Sequence, residues 1–202
     1  MKLKFSILLS LLAIAICASA EKPAQILDRC ANQIRNAKSL TANYSMSGGD
    51  ISGKGSITLA GDKFRIISSD MSIWYDGKTQ WSYMPAAKEV NIVEPTPEEL
   101  QEVNPFAIIN SLKKTYEAKN LKAPAGTHKI SFTAKNAKAT VKRVDLTINA
   151  KTMWPTDITL HRKSGSPITI KVTDVKTGAS LPIATFRFDK KKYPGVEVVD
   201  LR

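Results

Sequence analysis

Leu40, Ala42, Tyr44 and Met46 occupy alternate positions of one segment, with Thr41, Asn43 and Ser45 between them. Period two of this kind puts the apolar residues on one face of a β-strand. The alternation recurs in Ile57 and Leu59, Phe64 and Ile66, Val90 and Ile92, Ile130 and Phe132, and Val144, Leu146 and Ile148. It continues through Ile158 and Leu160, then Ile168, Ile170 and Val172, and Phe186 with Phe188 closes the series. Gly48-Gly49, Gly61-Asp62 and Asp76-Gly77 separate the early strands as turns, because glycine accepts the positive φ that tight turns need. Up to Val93 the pattern is an antiparallel meander with short links. About ten or eleven strands result, a number that implies a strongly curved sheet or barrel in a mainly β chain.

Two stretches break the period. Pro23 to Lys38 carries Ile26, Leu27, Cys30, Ile34 and Ala37 on one helical stripe, with Pro23 suited to a first turn. After Val93, Thr96 can cap a short helix with Pro97 at its first position and Glu98 and Glu99 in its first turn. Asn104-Pro105 starts another, with Phe106, Ile109, Leu112 and Tyr116 at helical spacing. Short helices are therefore expected over 97–103 and 105–116, where they could cover an open sheet face or act as ordinary packing helices.

The segment from Met71 to Pro85 is the most aromatic of the chain, with Trp74, Tyr75, Trp81 and Tyr83 flanking the Asp76-Gly77 turn. It reads as an exposed hairpin bearing large rings, with no catalytic group nearby. An aromatic β protein of this kind points to binding rather than turnover.

Composition adds a compartment. Lys2 and Lys4, an apolar run from Phe5 to Ala18, and Ala18-Ser19-Ala20 make residues 1–20 a signal peptide with Glu21 as first mature residue. Cys17 follows Ile16 rather than the small residue a lipoprotein signal wants, which favours a soluble exported protein. Residues 21–202 then form a single domain. Without the two signal-peptide lysines, 28 basic residues face 18 acidic ones, a net charge of +10. Behind an export signal nucleic acid is not the expected partner; anionic headgroups or an acidic protein surface are. Cys30 is left as one thiol at helical spacing, with no disulfide partner and the character of a buried core residue.

Catalytic chemistry is sparse. His128 and His161 lie far apart and read as exposed strand positions, and neither HxxxH nor CxxC occurs, so no metal or other cofactor is expected. There is no GxSxG elbow. A hydrolase with two distant carboxylates stays as an alternative.

The order of these segments resembles the LolA family, periplasmic carriers of outer-membrane lipoproteins. The resemblance is carried by Leu40-Thr41-Ala42-Asn43-Tyr44, Gly55-Ser56-Ile57-Thr58-Leu59, Asp76-Gly77-Lys78-Thr79-x-Trp81-x-Tyr83-x-Pro85, Asn104-Pro105-Phe106-Ala107-Ile108-Ile109, and Phe186-Arg187-Phe188 with Pro194-Gly195-Val196. It implies an open antiparallel β-barrel whose concave apolar face is lidded by helices. It also implies a non-enzymatic, monomeric carrier of acylated lipoproteins or lipids, loaded by an inner-membrane release complex and unloaded at an outer-membrane acceptor. The implied ligand-binding face is Tyr44, Met46, Ile57, Leu59, Phe64, Ile66, Trp81, Tyr83, Phe106, Ile109 and Leu112. Well-known members hold the lid shut with an Arg just before the third strand; here that position is Ala60 or Gly61, which leaves lid gating and cargo open. A regulatory, envelope-stress-sensing protein that uses the same barrel to bind a partner is the alternative of a different class.

Overall fold

The computed structural model describes residues 21–96, 99–100 and 112–202. Residues 1–20, where the signal peptide is expected, lie outside that set, as do Phe106 and Ile109. Helix α1 runs from Pro23 to Asn36 and buries the predicted stripe of Ile26, Leu27, Cys30 and Ile34 together with Ala31. Twelve strands follow: β1 (Ser39–Gly48), β2 (Ile51–Ala60), β3 (Lys63–Ser68), β4 (Ser72–Tyr75), β5 (Gln80–Met84), β6 (Glu89–Val93), β7 (Tyr116–Leu121), β8 (Thr127–Ala134), β9 (Val141–Asn149), β10 (Pro155–Arg162), β11 (Ile168–Gly178) and β12 (Glu197–Asp200).

All twelve belong to one sheet in the order β12-β6-β5-β4-β3-β2-β1-β11-β10-β9-β8-β7. Two antiparallel meanders, β1–β6 and β7–β11, are joined where β1 pairs with β11. The sheet is not closed, so β12 and β7 are its edges. In β11 the register slips between Thr41↔Lys176 and Asn43↔Thr173, with Asp174 at φ 53° and its carboxylate accepting from Asn43 Nδ2 at 3.0 Å. Such a bulge sharpens the local bend of the sheet.

The strand count corrects the expected ten or eleven in three places. Phe186 ends a 3-10 turn (Ile183–Phe186) and Phe188 lies in irregular chain, so neither belongs to a strand. Tyr116 opens β7 instead of ending a helix; of the helix expected over 105–116, the described residues 112–115 are helical. β12 pairs in parallel with β6, a departure from the all-antiparallel expectation. At the other interruption Thr96 does cap: its Oγ1 accepts from the Glu99 amide at 3.3 Å, and its own amide donates to the Glu99 carboxylate at 2.8 Å. This is a reciprocal capping box.

The Asp76-Gly77 turn is built as its residues require. Gly77 has φ 101°, and Asp76 Oδ1 accepts from the amides of Lys78 and Thr79 at 3.1 and 3.0 Å. Asp76 Oδ2 accepts from Arg187 Nε at 2.7 Å, and the side chain is only 7% exposed. One carboxylate thus shapes the hairpin and anchors the C-terminal segment to it. Asp76→Ala is expected to lower stability in urea unfolding by about 2–3 kcal/mol, the range for losing hydrogen bonds to a charged group. A loss below ~0.5 kcal/mol would mean that the tie to Arg187 is solvated and carries no weight.

Candidate functional site

The concave face holds the main core. Residues that alternate toward it follow the register across the sheet: Ala42 faces Ile57, Ile57 faces Ile66, and Ile66 faces Ile73. In the other direction Tyr44 faces Val172, Ile170 faces Ile158, Ile158 faces Leu146, and Leu146 faces Ile130. Helix α1 lays its buried stripe into this trough, in one cluster with Phe64, Ile130, Phe132 and Ile148. It does not fill it. A cavity of about 300 Å³ remains between α1 and the sheet.

Its walls come from α1 (Leu27, Cys30, Ile34), from β1 and β2 (Leu40, Ala42, Tyr44, Ile57, Leu59), and from β9–β11 (among them Leu146, Ile158 and Val172), with Leu112 and Trp154 completing them. None of these walls carries a charged side chain. The charged residues of α1 lie off this lining. Asp28 pairs with Lys113, while Arg29 reaches Glu21 at 3.1 Å and the Met153 sulfur at 3.2 Å. Burial pushes the Cys30 thiol up to about 11, so near neutral pH it is an uncharged wall atom and not a thiolate nucleophile.

Of the eleven residues expected on the binding face, Tyr44, Ile57, Leu59 and Leu112 meet at this cavity. Phe64 and Ile66 share its face but sit in the filled part of the core, Phe64 against Tyr75 with ring centroids 5.2 Å apart. Met46 continues the β1 face and is half-buried outside the lining. Phe106 and Ile109 lie outside the described residues.

Trp81 and Tyr83 require a correction. They share a face, as alternation predicts, but it is the convex one. Trp81 is paired with Trp74, whereas the inward residues Ile73 and Tyr75 are paired with Ser82 and Gln80. The C-terminal segment crosses this outer face and covers the rings. Tyr193 stacks on Phe188 at 4.9 Å and approaches Tyr83 at 4.7 Å, and Phe188 meets Trp74 edge-on at 5.4 Å. Trp74 is therefore only 5% exposed, and the hairpin read as exposed is the floor of a second apolar cluster. The cavity walls that sequence reasoning left out, on β9–β11, alternate as plainly as β1; the only missing signal was which strands α1 covers.

The convex face of β8–β10 is polar. Ser131 Oγ donates to Asp145 Oδ1 at 2.7 Å, His161 Nε2 lies 2.9 Å from Asp145 Oδ2, and Arg143 Nε lies 3.2 Å from Oδ1. His161, like His128, is half-buried rather than exposed. Ser131 bonds the carboxylate and not the imidazole, and a carboxylate held below its usual range is a weak base, so the arrangement ties three strands together rather than forming a triad. Among the described residues no group of three or more His, Cys, Asp or Glu could hold a metal. No helix among them is long and apolar enough to cross a membrane.

Burial pushes the carboxyls of Asp145 and Asp76 up, but the hydrogen bonds and cations around them outweigh it and hold both below the usual carboxylate range. For Asp145 the opposing groups are Ser131, His161 and Arg143; for Asp76 they are the turn amides and Arg187. A lowered folded value stabilises the fold above the unfolded carboxyl value near 4 and loses that stabilisation as pH falls through the folded value. Stability is thus expected to hold from neutral pH to about 5 and to fall below about 4. An Asp76→Asn, Asp145→Asn double variant should show a flatter acid limb in urea midpoints measured against pH. An acid limb as steep as that of the parent would sink this assignment.

Residues 13–165 match the family described as outer membrane lipoprotein carrier protein LolA. No curated protein matches the chain. Among solved structures, an uncharacterised conserved protein from Thermus thermophilus superposes with a TM-score of 0.60 at 14% identity, covering 88% of this chain and 98% of that one. MucB, seen in a Pseudomonas aeruginosa MucA/MucB complex, superposes at 0.55 with 16% identity, over 84% of this chain and 62% of that one. At such identities the likeness is one of fold. The family match over most of the sequence goes further: this chain belongs to the LolA family of outer membrane lipoprotein carrier proteins.

Proposed function

We propose that this chain is an exported periplasmic carrier that holds acyl chains of lipoproteins or other lipids in the cavity beneath α1 and carries them toward the outer membrane. The observation behind this reading is the unfilled trough of about 300 Å³, walled by apolar side chains and free of charge among the described residues. An empty apolar cavity costs packing energy, and its persistence needs a compensating use.

Magnitudes fit reversible carriage. About ten buried methylene groups contribute roughly 8 kcal/mol gross, micromolar before ordering costs. That suffices to keep a chain out of water and is weak enough for release to an acceptor. The volume also sets a limit. It is about twice the ~150 Å³ that accommodates benzene, so the cavity as it stands takes one partial acyl chain, and a triacylated cargo requires it to widen.

The test is native mass spectrometry of residues 21–202 with a triacylated lipopeptide. A one-to-one complex is expected, together with slower alkylation of Cys30 by an apolar maleimide. Cys30 is the single thiol once residues 1–20 are removed. Absence of both the complex and the thiol protection would overturn the reading. A second reading, a regulatory protein that binds another polypeptide, draws on the likeness to MucB, which was solved in complex with MucA. Lipid-independent capture of a defined protein partner would favour it.

A further inference from the structure

A second cavity lies on the opposite side of the sheet. It measures about 340 Å³ and opens between the convex face of β3–β4 and the C-terminal segment around residues 182–193. It shares no lining residue with the cavity beneath α1. The separation follows from strand alternation: Phe64 and Ile66 point to the core, whereas Arg65 and Ile67 point outward.

Its charge is unbalanced. Three cations, Arg65, Arg187 and Lys192, line it against one carboxylate, Asp189. Arg187 is committed to Asp76 at 2.7 Å, and Lys192 stands 3.8 Å from Asp189. Arg65 has no carboxylate partner among the described residues, and its Nε is buried with no hydrogen-bond partner. A guanidinium N–H shut off from water and left unpaired is costly, and a planar donor fork is the natural receptor for a carboxylate or phosphate. Beside it the rings of Trp74 and Tyr193 pack edge to face on one another, centroids 5.9 Å apart, and make an apolar corner against which a flat body can rest.

We propose that this outer pocket binds a small organic anion, a carboxylate or phosphate monoester on a flat apolar body, with Arg65 as its counter-ion. The volume sits at the lower end of the ~300–1,000 Å³ of small-molecule sites, which suits a compact ligand rather than a lipid. The Arg65 guanidinium takes the anion, the Trp74–Tyr193 corner receives one side of the body, and Lys192 adds attraction at the rim.

The experiment titrates the protein with benzoate and with phenyl phosphate, read by tryptophan fluorescence and calorimetry, with sodium chloride at matched ionic strength as control. Saturable binding of either probe, absent with chloride, is expected, and the preferred probe distinguishes carboxylate from phosphate. Arg65→Gln should weaken binding by about tenfold or more, and Lys192→Gln by only about two- to threefold, as a screened rim charge. Arg65→Lys keeps the charge but loses the fork, so its affinity should fall between those of the parent and Arg65→Gln; it also serves if the Gln variant does not fold. No saturable response to either probe, or undiminished binding by the folded Gln or Lys variant, overturns the proposal. Because the cavities are separate, failure here leaves lipid retention and Cys30 protection as they were.

Discussion

An Ile57→Glu chain should fold and should lose acyl-chain binding by about a hundredfold or more. Ile57 is half-buried on β2, facing Ala42 on one side and Ile66 on the other, and its side chain forms part of the cavity wall. In the empty protein a glutamate there can turn its carboxylate toward water, so the fold should survive. With an acyl chain in place that carboxylate would lie against hydrocarbon. The cost of burying an unpaired charge there exceeds what a few methylene contacts contribute. Ile57→Leu conserves volume and should bind as the parent does. Displacement of a fluorescent fatty acid measures both variants. Unchanged affinity in the Glu variant would place the lipid elsewhere and remove the cavity from the argument.

Phe132→Ala should behave in the opposite way. Phe132 is 1% exposed on β8, opposite Val144, and belongs to the filled core rather than the cavity lining. Truncation there removes most of a ring and leaves a void, with an expected loss of about 3–5 kcal/mol in urea unfolding. Fatty-acid capacity per folded molecule should not change. The two variants together separate the packing of the trough from its use, and a Phe132→Ala protein losing binding in proportion to stability would show that the two are one property.

The particular strands show why some of this architecture is legible from residues and some is not. The ten strands recognised from the residues, nine by alternation and β4 by its β-branched and aromatic composition, are those with neighbours on both sides. The two that escaped, β7 and β12, are the two edges of the sheet. Tyr-Glu-Ala-Lys-Asn-Leu in β7 has a composition that suits a helix, and an edge strand with one neighbour has little packing to impose a pattern. Phe186 and Phe188 mimic a strand because their spacing is two, yet they serve the outer cluster from a 3-10 turn and irregular chain. The cavity face was half legible. Alternation groups Trp81 with Tyr83, but which side they take is settled only by register carried from β1 through β4 to β5. Nothing local to the hairpin holds that information.

The segment across the convex face also sets how the trough can deform. Behind β3–β6 the sheet is backed by the rings of Phe188 and Tyr193 and by the Asp76–Arg187 tie, so those strands form a laminate of two packed layers. Behind β8–β10, among the described residues, stand the side chains of Ser131, Asp145, His161 and their neighbours, with no second aromatic layer over them. A laminate resists bending far more than a single ply. The trough therefore has a stiff half and a compliant half, and on the proposed carrier reading extra cargo volume would be accommodated at least cost by flexing β9–β11, the wall that carries Leu146, Ile158 and Val172.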